Sequence, residues 1–268
     1  MKYILSKKDR ALFAELVRTD FKLRYQGSVL GYVWTLLKPL LLFGILFIVF
    51  TKFLQLGRGV PNYPQSLLLG IVLWTFFVEA TNMSLKSVVA RGSLIRKINI
   101  PKYLIPLSVI ASAFINMSLN LIIVFVFVYF APFNAISLDT LWAFPLLLLE
   151  LAILASGVGF FLAAVYAKYQ DIDPIWEVAR QALFYTMPLL YPISRITNET
   201  IQKLIMLNPL SQIIQDSRKY ITYSGSETIT TIFGSPYMHA VSIGLVSLVF
   251  IIGVTYFNSQ SKNFAENV

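Results

Sequence analysis

Long apolar runs dominate the chain. Residues at about 30–52, 65–86, 104–130, 141–166, 175–193 and 237–258 each form a stretch with almost no charge, close to the roughly 20 residues that a bilayer core requires. Ahead of them, residues 1–28 follow another rhythm. Leu12/Leu16 and Phe13/Val17/Phe21 recur at four-residue spacing among Lys and Arg, and Ser6 with Asp9 resembles a helix start. This predicts a basic helix with one apolar stripe, which lies in the headgroup plane or packs on a partner. The fifth run opens on Asp173-Pro174 and closes on Pro188 and Pro192, residues that start and stop helices. Between the fifth and sixth runs, residues at about 197–221 hold two amphipathic pieces parted by Asn208-Pro209. Each is too short to cross, so they predict a re-entrant helical hairpin at the outer interface. The fold expected is an all-α polytopic membrane protein. It has six transmembrane helices, an N-terminal amphipathic interfacial helix (1–28) and a single transmembrane domain (29–268).

Composition supports that class. Of 268 residues, 57% are hydrophobic and only 13% charged, about half the charge fraction of a soluble domain. The net charge of +9 is therefore read as the Lys/Arg excess of cytoplasmic loops, not as a footprint for nucleic acid. Counted by loop, 14 Lys and Arg fall on one side and 6 on the other. The bias places both termini in the cytoplasm, as an even number of spans requires. The loop after the second run is the densest, with Lys86, Arg91, Arg96, Lys97 and Lys102 and no acid among them. With no cysteine there is no disulfide or thiol chemistry, and the charged first 28 residues do not resemble a cleavable signal.

Catalytic chemistry finds little to work with. The one histidine, His239, stands at the outer start of the last run with no second ligand nearby, so neither a metal site nor a catalytic residue is expected. No phosphate-binding G-x-x-x-x-G-K-[ST] loop occurs, so this chain does not hydrolyse ATP by that route. Glu79 and Glu150 sit in apolar surroundings, where a charge is a transport candidate or is paired. Ser108, Ser112, Asn116 and Asn120 form a polar stripe on one face of the third span, read as glue between helices ahead of channel lining. Gly157 and Gly159 could admit a close helix neighbour, as could Gly27 with Gly31.

Several stretches carry a family resemblance: Asp20-Phe21-Lys22-Leu23-Arg24-Tyr25, then Gly27-Ser28-Val29-Leu30-Gly31, Trp34 and Pro39; Leu94-Ile95-Arg96-Lys97-Ile98-Asn99-Ile100-Pro101; Asp171-Ile172; and Asn208-Pro209. In order and spacing they resemble the membrane subunit of type-2 ABC exporters, the Wzm-type permeases of polysaccharide and teichoic-acid export. Gln170 stands where the family commonly has Arg, which leaves that position without an ionic role.

The resemblance implies a half-transporter in the bacterial plasma membrane. It would be a homodimer docked on two ATP-binding subunits that hold ATP and Mg, with no cofactor on this chain. The cargo would be a lipid-linked glycan: an O-antigen, capsule or teichoic acid. It further implies an ATPase-coupling loop at Arg91, Arg96, Lys97, Ile98, Ile100, Pro101 and Lys102, with Asp171 nearby. Lys22, Arg24, Tyr25 and Lys38, clustered where the first span enters the membrane, are candidates for substrate or lipid entry, the three cations by attracting the carrier's pyrophosphate or the surrounding lipid. Tyr32, Trp34, Tyr185 and Tyr191 are candidates to line the pathway, since aromatic rings can cover the apolar faces of sugars. Two alternatives stay open: a permease of the same fold for a drug or lipid, and an ATP-independent channel or secondary transporter.

Overall fold

The computed structural model describes residues 7–24, 31, 33–97, 100–132, 136 and 140–264. The described residues form helices and turns with no strand. In order they are α1 (Lys7–Arg24), α2 (Val33–Phe47, continued by a π-helical turn Ile48–Phe53), α3 (Tyr63–Ala90), α4 (Gly92–Lys97), α5 (Leu104–Tyr129), α6 (Thr140–Tyr166), α7 (Ile172–Thr186), α8 (Glu199–Met206), α9 (Pro209–Ile221), α10 (Ile229–Phe233) and α11 (Met238–Gln260).

Five of these, α2 with its π turn, α3, α5, α6 and α11, are long and apolar enough to cross a membrane. Their ends lie within a few residues of those expected. The fifth expected span is different. Helix α7 has 15 residues, which at about 1.5 Å each reach about 22 Å, short of a core of about 30 Å. It stops because Pro188 disfavours helical geometry at the residue before it, and Met187 is extended with ψ of 150°. The chain goes on as a non-helical stretch in which Met187, Leu189 and Leu190 are buried. The start also differs: α7 begins at Ile172, so Asp173 lies inside the first turn and does not cap it.

Helix α3 is the axis of the bundle. Leu67, Leu69, Ile71, Leu73 and Ala80 along it are wholly inaccessible, packed among α5, α6 and α9. The α6–α11 contact is closer than side chains would allow. A Cβ on Gly253 would stand 2.0 Å from the carbonyl oxygen of Gly157, and one on Gly157 would meet Phe250 Cα at 2.7 Å. The two glycines let the helices touch backbone to backbone. Gly159 leaves room for a side chain of α3 instead, since an added Cβ would lie 2.8 Å from Ser84 Oγ.

A second apolar cluster gathers at the α4 end, joining Ile95 and Ile100 to Val88, Ile105, Phe160, Phe257 and Phe264. The stripe of α1 turns toward this end: Leu12 packs on the cluster and Leu16 is buried. Ser6 and Gly27 lie outside the described residues.

The hairpin appears as expected in outline. Asn198 caps α8 by accepting from the Thr200 and Ile201 amides, and Asn208 caps α9 by accepting from Leu210, with Pro209 in the first helical position. Its setting differs from an interfacial one. Every residue of α9 from Leu210 to Arg218 is buried, the polar face included. Polar groups so placed require internal partners. Helix α10 was not anticipated; Thr228 and Thr231 cap its start reciprocally.

Candidate functional site

Two polar cavities open along one side of α3 and meet at Met83, which lines both. The first, about 630 Å³, lies among α1, α3, α5 and α7 and carries Asp20, Lys86, Arg91, Asp173, Glu177 and Arg180. The second, about 530 Å³, lies among α2, α3 and α5 and carries Trp34, Thr35, Lys38, Glu79, Asn116 and Asn120. Together they make a groove whose walls change from ionic at the α4 end to mixed aromatic and amide further along α3.

The ionic end is built by long-range pairing. Arg91, just past the end of α3, forms an ion pair with Asp20 of α1. Ser108 of α5 donates to the other Asp20 oxygen at 3.0 Å and accepts from Arg91 Nη1 at 3.2 Å. Ser112 donates to the Val17 carbonyl at 3.4 Å, so two positions of the polar stripe fasten α1 to α5. Across the groove, Lys86 Nζ stands 2.6 Å from Asp173 of α7, and Trp176 donates to Asn82 at 3.1 Å. Arg180 also faces this cavity, and its Nε is buried without a hydrogen-bond partner.

In the second cavity Asn116 donates to Glu79 Oε1 at 2.7 Å, and Asn120 donates to the Thr35 carbonyl at 3.2 Å. Thr35 Oγ1 and Asn116 Oδ1 are buried without protein partners, leaving two acceptors for a polar guest or water. The stripe on α5 is therefore both glue and wall: its serines bind α1, while its asparagines tie α2 and α3 beside the cavity.

The candidate residues fall in several places. Trp34 and Lys38 line the second cavity. Lys22 is exposed on α1, and Arg24 ends that helix. Tyr25, Tyr32, Ile98 and the side chain of Arg24 lie outside the described residues. Tyr185 is exposed at the end of α7 beside Phe184, while Tyr191 donates to the Thr186 carbonyl at 3.0 Å and braces the non-helical turn.

In the loop, Arg96 and Lys97 are exposed on α4, whereas Ile95 and Ile100 are buried beneath it. Pro101 is half-buried. Lys102 donates to the Ser261 carbonyl, and its ammonium stands 6.0 Å from the Phe264 ring centroid, so it holds the C-terminal helix. Arg91 turns inward to Asp20, away from the α4 surface, and Asp171 is exposed at the head of α7.

Asp20, Lys86, Glu177 and Arg180 were not among the site residues expected. The spacing of Asp173, Glu177 and Arg180 places them on one face of α7, a signal that could have drawn them together.

The profile of the ABC-2 type transporter family matches residues 11–222. The chain belongs to that family. The match takes in α1, the groove and the α8–α9 hairpin. The chain is also 28% identical to the O-antigen export system permease protein RfbA of Klebsiella pneumoniae, over 95% of this chain and 94% of that protein. To the protein of the same name in Myxococcus xanthus it is 26% identical, over 97% and 96% of the two chains. It is 24% identical to the polysialic acid transport protein KpsM of Escherichia coli, over 79% and 80%. As a member of this family the chain is a multi-pass membrane permease subunit of an ABC transporter and not an enzyme.

Proposed function

We propose that this permease exports a lipid-linked polysaccharide across the bacterial plasma membrane. It works as a homodimer on two separate ATP-binding subunits that supply the ATP and Mg chemistry. The observation that carries the cargo assignment is the near end-to-end similarity to permeases named for O-antigen export. The groove along α3 supports it, since amide, hydroxyl and indole groups on its walls suit a polar chain with apolar ring faces.

Helix α7 supports the dimer. It has no buried residue, it presents Ile175, Val178 and Tyr185 outward, and its charged face borders the groove. A second copy would cover that face and close the groove into a path. In this reading α7, about 22 Å of helix, and the buried turn that follows it to Pro192 together make the sixth crossing. With six crossings both termini are cytoplasmic. The exposed charges of α4 then face the ATPase, with Ile95 and Ile100 anchoring that helix to the bundle.

The test is purification of the chain with the ATPase encoded beside it, followed by hydrolysis in lipid nanodiscs. Lipid-linked glycan is expected to stimulate turnover, and loss of the chain to abolish surface glycan. Stimulation by drugs or simple lipids but not by glycan would replace the cargo. Failure to co-purify with any ATP-binding subunit would overturn the assignment.

A further inference from the structure

The buried polar face of α9 contains a hydrogen-bond chain in which donors and acceptors do not balance unless a proton is added. Gln212 Nε2 lies 2.6 Å from Asp216 Oδ2, and Gln212 Oε1 lies 2.6 Å from Ser242 Oγ of α11. The same Ser242 hydroxyl lies 3.1 Å from Glu150 Oε1 of α6. Ser242 has one hydrogen and faces two acceptors. If it donates to Gln212, the contact to Glu150 needs a proton on the carboxyl. If the Gln212 amide is turned over, its nitrogen donates to Ser242 and Ser242 donates to Glu150. Gln212 Oε1 then faces Asp216 Oδ2, and that contact needs a proton on Asp216. Either orientation holds one carboxyl proton.

We infer that the contact of α6, α9 and α11 is a binding site for a single proton, shared between Glu150 and Asp216, and that the hairpin docks on the bundle in this protonated form. The charged and titratable surroundings fit one proton. Lys219 follows on α9, His239 Nδ1 of α11 stands 3.4 Å from Asp216 Oδ2, and α10 contributes only the Ile229 amide to Asp216 Oδ1 at 3.2 Å. Arg218 is turned away to backbone carbonyls. With the proton on Glu150, Asp216 faces three donors, which suits an ionised carboxylate. Burial pushes the Asp216 pKa up, opposed by its Gln212 bond and by His239, so the proton is held within reach of both carboxyls. Glu150, Tyr220 and His239 line a cavity of about 410 Å³ between α6 and α11, through which the proton can exchange.

Substitution separates this arrangement from simple packing. Glu150→Gln places an amide donor on Ser242 and leaves Asp216 ionised. Asp216→Asn donates to a turned Gln212 and leaves Glu150 ionised. Each single variant balances the chain with no carboxyl proton, and so does the double variant, because an amide offers either its nitrogen or its oxygen.

Infrared spectra of the full-length protein in nanodiscs at neutral pH should show a protonated-carboxyl band that both single variants lose. Thermal unfolding provides a second measure. The folded state keeps a proton that the unfolded chain releases, so stability is fully present at low pH and falls as pH rises. The folding constant of the unaltered protein drops by up to about tenfold per pH unit, and that slope disappears in Glu150→Gln. The double variant, which has no carboxyl in the chain, should show neither the band nor the slope. A band that is absent from the unaltered protein, or that survives both single variants, overturns the inference. If one variant fails to fold, the other and the pH slope decide it.

Discussion

Arg218 offers the most quantitative test of the fold. It is 5% exposed, and its guanidinium donates to the carbonyls of Pro188 at 2.6 Å and Leu189 at 2.8 Å. It also reaches Gln215 Oε1 at 2.9 Å and the Ser66 carbonyl at 3.4 Å. It thereby fastens the non-helical stretch after α7 to both α9 and α3. Burial pulls its pKa down to about 10, so it remains charged at neutral pH.

Arg218→Lys keeps the charge and its desolvation cost, but one ammonium cannot follow the fork to all these acceptors. Losing two charge-assisted bonds at about 1.5–3 kcal/mol each removes about 3–6 kcal/mol. Arg218→Met leaves the same carbonyls unpartnered at about 1–3 kcal/mol each. It also relieves the burial of a cation, which the depressed pKa puts at about 3 kcal/mol, so its net cost is about −1 to 3 kcal/mol. The lysine variant is therefore expected to be the less stable of the two. Thermal unfolding in detergent should show R218K melting on the order of 10 °C below the unaltered protein, with R218M between them. Hydrogen exchange should speed up at residues 187–190 in both. R218K melting at or above R218M would refute the argument that fork geometry, not charge, is what the site uses.

Gly253→Val drives side-chain atoms into the Gly157 backbone and should cost more than about 3 kcal/mol or prevent assembly, whereas Gly244→Ala on the same helix, with nothing within 4 Å, should be silent in a melting assay. Asp20→Ala strands the partly buried Arg91 and should destabilise the α1 contact by about 2–4 kcal/mol, read as faster protease cleavage between α1 and α2; the exchange Asp20→Arg with Arg91→Asp should recover part of it. Lys86→Ala removes an ion pair whose side chains are 57% and 39% exposed, so stability should change by under about 1 kcal/mol, and any loss of glycan-stimulated ATP hydrolysis would mark a role in the groove.

The sequence by itself determined the all-helical membrane class, five crossing helices, the hairpin and its Asn-Pro breaks. Each of these is written in local terms: run length, charge density, and residues whose dihedrals or caps stop a helix. It also set out the polar stripe on α5, because helical spacing puts its members on one face, and the glycines of α6 as points of close approach. Tertiary structure alone decided which polar groups meet. Asp20 pairs with Arg91 across 71 positions, and Ser242 reaches Glu150 across 92, distances over which no periodicity carries information. Helix α9 makes the point most sharply. Its pattern of apolar and polar faces reads as a helix half in water, yet the fold encloses both faces, because α3, α6 and α11 bring partners that its own sequence does not contain. A local pattern fixes which side of a helix is apolar, but whether the other side meets water or a matched set of buried donors is settled only when distant helices pack against it.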